Sequence, residues 1–135
     1  MTRSPALILA LGDLAAFVAF GALGLASHEK SFAVTPIIRS IVPFAAAWLL
    51  LSPLAGAYSD DALAGRGWGD DARGIARTFL VWIPIGVIAL IARAAIFDRQ
   101  LFNAFFVIAL VGDGIFITGW RAMYSRWVAP RFATG

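Results

Sequence analysis

The sequence predicts an all-α integral membrane protein, folded as a four-helix up-down bundle. Three observations predict it. Apolar residues make up 61 % of the 135-residue chain and charged residues only 14 %, with a mean hydropathy of +0.83. The apolar residues fall into four runs, each near the roughly 20 residues that a membrane-crossing helix needs. The connections between the runs are short and polar. Soluble domains run closer to half apolar and a quarter charged, and a short chain has too much surface to hide such an excess from water. Disorder needs the opposite composition.

The first run, about Pro5–Ala26, follows Met1-Thr2-Arg3. It is longer than the roughly 7–15 apolar residues of a signal-peptide core and is read as a retained first span. The second is about Pro36–Ala57, the third about Gly74–Ala92 and the fourth about Gln100–Met123, all within a single transmembrane domain over residues 1–135. Backbone groups in lipid must be paired internally, so runs of this kind span as helices. Short loops make neighbours antiparallel. Pro43 and Pro84 lie well inside the second and third spans, and Pro53 near the end of the second. Each proline removes a backbone donor, and the favoured reading is a tolerated kink rather than a broken helix lining a site.

Orientation follows from the basic residues, ten arginines and one lysine. Arg3, Arg66, Arg73, Arg77, Arg121, Arg126 and Arg131 share one side, against Lys30, Arg39, Arg93 and Arg99 on the other. This excess places both termini and the Tyr58–Arg73 loop in the cytoplasm. That loop holds two acidic pairs, Asp60-Asp61 and Asp70-Asp71. They admit a divalent-cation reading, but capping by Ser59 or Asp60 and by Asp70 or Asp71 is favoured.

The polar groups at membrane depth attract most attention. Gly12-Asp13 in the first span echoes Gly112-Asp113 in the last. With the last span ending near Met123, each aspartate lies roughly 12–15 Å from the cytoplasmic edge, so the two carboxyls are expected to face each other. A charged aspartate near mid-membrane costs about 2.5–3.5 kcal/mol on insertion scales. Two readings stay open: a protonatable Asp13/Asp113 pair for proton or cation coupling, and neutral acids that hydrogen-bond neighbouring helices. The outer edge gathers His28, Glu29, Arg39 and Arg93, read mainly as interfacial anchoring. At the cytoplasmic edge Trp120 and Arg121 are read as an anchor, Arg121 reaching toward headgroups.

Several classes are set aside. Cysteine is absent and histidine single, so no metal site is expected. His28 alone offers at most one axial ligand to a pigment; the sequence implies no cofactor, although eleven phenylalanines suit contact with lipid or pigment. The basic residues are scattered at span ends, which argues against nucleic acid. No nucleophile motif, phosphate loop or zinc motif is present, so no enzyme is expected.

Ser27-His28-Glu29 at the end of the first span, Pro84-Ile85-Gly86 ahead of Arg93, and a last span running from Phe102–Phe106 to Gly119-Trp120-Arg121 together resemble the domain of unknown function 3054 family of small prokaryotic membrane proteins. The resemblance covers about Pro5 to Trp127. It departs where an arginine is expected near the end of the first span and this chain has Gly24-Leu25-Ala26. It implies a multi-pass protein of the inner (plasma) membrane, supplies no activity, and draws attention to His28, Glu29, Arg93 and Arg121. The expected function is that of an accessory or assembly subunit of a larger membrane complex, with the bilayer, other membrane subunits or further copies of itself as partners. The alternative is a small oligomeric transporter or channel working through Asp13 and Asp113.

Overall fold

A computed structural model of the chain describes residues 4–27, 34–97 and 104–133. It contains helices α1 (Pro5–Ser27), α2 (Val34–Leu51), α3 (Asp60–Leu63, a single turn), α4 (Ala72–Phe97), α5 (Ala104–Met123) and α6 (Ala129–Ala133). No strand occurs among the described residues. By length and composition, four helical segments are able to cross a membrane, with hydropathies from 1.4 to 2.3. The long helices form a closed ring: α1 packs on α2, α2 on α4, α4 on α5, and α5 back on α1.

Local sequence sets the ends. A 3-10 turn, Ser52–Ala55, finishes α2 and is stopped by Gly56 at φ 94°. This is the left-handed cap that glycine adopts without a Cβ penalty. The Gly56 N–H donates to the Pro53 carbonyl at 3.1 Å. Ser59 caps α3 by accepting from the Ala62 N–H at 3.3 Å. Asp71 caps α4 by accepting from the Gly74 N–H at 2.8 Å. Capping is therefore the role the structure gives to Ser59 and Asp71. Helices α2 and α4 run through Pro43 and Pro84 without a break.

Two helical segments run past the bounds expected for their spans. Helix α4 continues to Phe97, and α5 passes through a π-helical turn, Tyr124–Val128, into α6. Pro130 has no N–H to give to Arg126 and crowds that carbonyl. The chain widens by one residue instead, and the Ala129 N–H reaches the Tyr124 carbonyl, the i→i+5 bond of a π-bulge.

The core is aromatic and is centred on Trp82 of α4. Its ring lies 5.3 Å from Phe17 on α1, 6.4 Å from Phe44 and 6.4 Å from Trp48 on α2. Its indole N–H donates to the Leu110 carbonyl on α5 at 2.7 Å. One side chain thus touches the three other long helices. Gly114 makes room for it, since a Cβ there would stand 2.8 Å from the indole and 2.6 Å from Phe79. Outward faces carry Leu7, Leu11, Leu50, Leu54, Leu80, Ile96 and Val107, all exposed. Leucine and isoleucine outside with Asp13, Ser52, Thr78, Asp113 and Arg121 inside is the polarity expected in lipid.

Truncating Trp82→Ala is expected to cost about 3 kcal/mol, since it opens a large cavity and removes the indole hydrogen bond to the Leu110 carbonyl. Reversible unfolding in mixed micelles reads this out, and a loss below about 1 kcal/mol contradicts the central place given to this residue.

Candidate functional site

The polar centre lies where α1, the end of α2, α5 and the 56–71 loop converge. Helix α1 turns Leu9, Asp13, Ala16 and Phe17 inward. Helix α5 turns Ala109, Asp113, Ile117 and Arg121 inward at four-residue spacing, one stripe of a helix. Asp13 is 0 % exposed and Arg121 1 %.

Arg121 and Asp13 form a side-on ion pair. Nε donates to Oδ1 at 3.0 Å and Nη2 to Oδ2 at 2.6 Å. Nη1 donates to the Ala57 carbonyl at 2.6 Å, which the Gly56 cap brings into place. Asp13 Oδ2 also accepts from the Trp48 indole at 2.9 Å and from the Tyr58 hydroxyl. Four donors thus converge on one carboxylate. Burial, and then the charge of Asp13, push the Tyr58 phenol well above its usual range, so it stays protonated and remains a donor.

Three aromatic rings enclose the guanidinium: Tyr58 at 4.9 Å, Trp48 at 5.5 Å and Trp68 at 5.8 Å. Trp68 is delivered by the loop segment Gly65-Arg66-Gly67-Trp68-Gly69. Gly69 has φ 101°, and a Cβ there would stand 2.6 Å from the backbone of Arg121 and Ala122. Only glycine lets the loop lie so closely on α5. Tyr124 and Ser125 fasten the same loop through the Leu63 and Trp68 carbonyls, at 2.7 and 3.2 Å.

Three expectations change. Arg121 does not reach for headgroups; it turns inward because Asp13 is there to neutralise it. Asp13 does not pair with Asp113, since Arg121 occupies both of its oxygens. Nor do the aspartates share a level. A Cβ on Gly12 would strike the Trp120 ring, and one on Gly112 the Phe20 ring. In that antiparallel register Asp113 lies five or six residues, roughly 8–9 Å, from the level of Asp13. Asp113 is buried, and its Oδ2 has no hydrogen-bond partner.

Trp120 lies against α1, its indole donating to the Leu9 carbonyl at 3.2 Å. Of the outer-edge residues, His28 and Glu29 lie outside the described residues. Arg93 is buried and Arg39 half-buried, and both are engaged in contacts. Among the described residues no group of three His, Asp or Glu side chains converges as metal ligands would. The aromatic cage and the glycine loop were missed in the sequence. The Gly-x-Gly-Trp-Gly spacing was the available signal.

Fold and site together define a class: a small multi-pass helical membrane protein, closed at one end over a buried Asp–Arg pair. The family model described as "Protein of unknown function (DUF3054)" matches residues 10–124, and the chain belongs to that family. The match begins just before Asp13 and ends just after Arg121, so both partners of the ion pair lie within it. No curated protein and no solved structure matches the chain.

Removing one partner of a buried pair leaves an uncompensated charge. Arg121→Met and Asp13→Leu are each expected to destabilise by about 3–5 kcal/mol, and the double variant by less than either single one. Unfolding of all three in the same micelle checks this. Additive losses in the double variant contradict the pairing.

Proposed function

We propose that the protein acts through assembly, as a non-enzymatic accessory subunit of a larger membrane complex, with its termini and the 56–71 loop on the cytoplasmic side. The observation that carries this reading is the division of labour between inside and outside. The inside is occupied by Trp48, Trp82, Phe17 and Phe44 and by an ion pair whose carboxylate is fully engaged. Among the described residues lie apolar grooves between neighbouring helices, one lined by Gly12, Ala15, Ala16, Ile115 and Gly119 and one by Val42, Pro43, Leu50, Ile88 and Ile96. Gly12, Ala15, Ala16 and Gly119 in the first of these are small enough to let a further helix approach closely. The excess of arginine at the loop end supports the orientation.

Extraction of native membranes in a mild detergent tests the reading. The chain is expected to migrate with other membrane subunits well above its 14.4 kDa; migration solely as a free monomer overturns it.

One observation favours the transporter as a second reading, namely the buried Asp113 carboxyl with an unpartnered oxygen. Asp13 is ill suited to that role because Arg121 neutralises it. On this reading Asp113→Asn abolishes proton or cation flux into liposomes carrying the purified protein, and flux equal to that of the unaltered chain sinks it.

A further inference from the structure

A third groove differs from the other two. It runs between the end of α2 and the first half of α4 and has a volume of about 560 Å³. Its walls are apolar, chiefly Leu51, Leu54, Leu80, Pro84 and Ile85, and Arg77 stands at its loop end. The grooves described above contain no charged residue. Leu54 and Leu80 are 85 % and 66 % exposed, so this surface faces whatever surrounds the bundle.

Arg77 is the informative residue. It is exposed, and no carboxylate pairs with it among the described residues; the ion pairs there are Arg66–Asp61 and Arg121–Asp13. Its guanidinium lies 5.9 Å from the Trp68 ring, which holds it in place and leaves its hydrogen-bond donors unused. Arg73 is one turn earlier on α4 and also exposed, so the two cations stack on one helix face. Leu80 and Pro84 lie three and seven residues further along, about 4.5 and 10 Å deeper. Cation above and apolar channel below is the outline of a phospholipid, phosphate uppermost and acyl chain beneath.

We infer that this groove binds a single anionic phospholipid, with Arg77 and Arg73 on its phosphate and an acyl chain laid along Leu54, Leu80 and Pro84. An anionic headgroup is required because a zwitterion leaves two arginines with no net counter-charge. A second copy of the chain would set its own apolar helix face against Arg77 and bury that cation without a partner, which is costly.

Native mass spectrometry of the full chain, released from micelles doped with equal amounts of phosphatidylglycerol and phosphatidylcholine of the same chain length, tests this. Retained phosphatidylglycerol is expected to exceed phosphatidylcholine, and Arg77→Gln to cut that preference by about fivefold. Leu80→Trp fills the groove and is expected to abolish retention while both arginines remain. Inorganic phosphate added in excess is expected to leave retention unchanged, because it has no acyl chain. Far-UV helicity shows whether each variant is folded. Equal retention of the two lipids, an undiminished preference in folded Arg77→Gln, competition by inorganic phosphate, or a protein dimer on the groove each overturns the inference.

Discussion

The bundle depends on one guanidinium in a place where an unpaired charge is not tolerated. In a low-dielectric interior an isolated arginine is expensive, and a pair survives only if its geometry is good and its remaining polar atoms are satisfied. Arg121 meets both conditions, with a side-on approach to Asp13 and a third bond to the Ala57 carbonyl. Each of these partners belongs to a different part of the chain: Asp13 near its beginning, Ala57 after α2, and Arg121 near the end of α5. One side chain therefore closes the ring between first and last long helices and seats the loop on top. Packing between helices in lipid has no hydrophobic effect to draw on, so a directional contact of this kind carries more of the specification than it would in water.

Above the ion pair the loop is shaped by backbone rather than by side-chain burial. Gly69 brings the chain against α5, and Trp68 then covers the guanidinium. Below it the specification returns to shape. Trp82 fills the centre and Gly114 yields to it. These two layers explain how a chain with little polar chemistry holds a defined arrangement: an ionic clamp at one end and one large aromatic at the middle, each touching elements from across the ring.

Much of this architecture could be read from the residues, because lipid makes span length and polarity strict requirements. The four runs, the capping by Ser59 and Asp71 and the tolerance of Pro43 and Pro84 all follow from local rules. The partner of Asp13 does not, because it depends on the register of α5 against α1, which close glycine contacts set. Span length and polarity alone leave that register open. The π-turn carries the helix past Met123 to Ala133, about 15 Å further at 1.5 Å per residue. Gly12 against Trp120 and Gly112 against Phe20 fix the register of α1 on α5, and it is this register that puts Arg121, rather than Asp113, opposite Asp13. The glycine loop is not legible for a different reason: its seat on α5 rests on φ angles that composition does not reveal.

Two arginines at this end of the bundle have opposite fates, and Trp68 joins them. Arg121 is enclosed and neutralised; Arg77 is exposed, and no carboxylate among the described residues pairs with it. Trp68 lies within 5.8 Å of the first and 5.9 Å of the second. Both cations favour the ring where it is, and each contact strengthens as water is excluded. Trp68 therefore lies between the ion pair beneath it and the exposed arginine on α4. The single tryptophan of the 56–71 loop thus contacts both the buried clamp and the outer face of α4, so the one side chain that shields the guanidinium of Arg121 from water also gives Arg77 an aromatic surface to rest on.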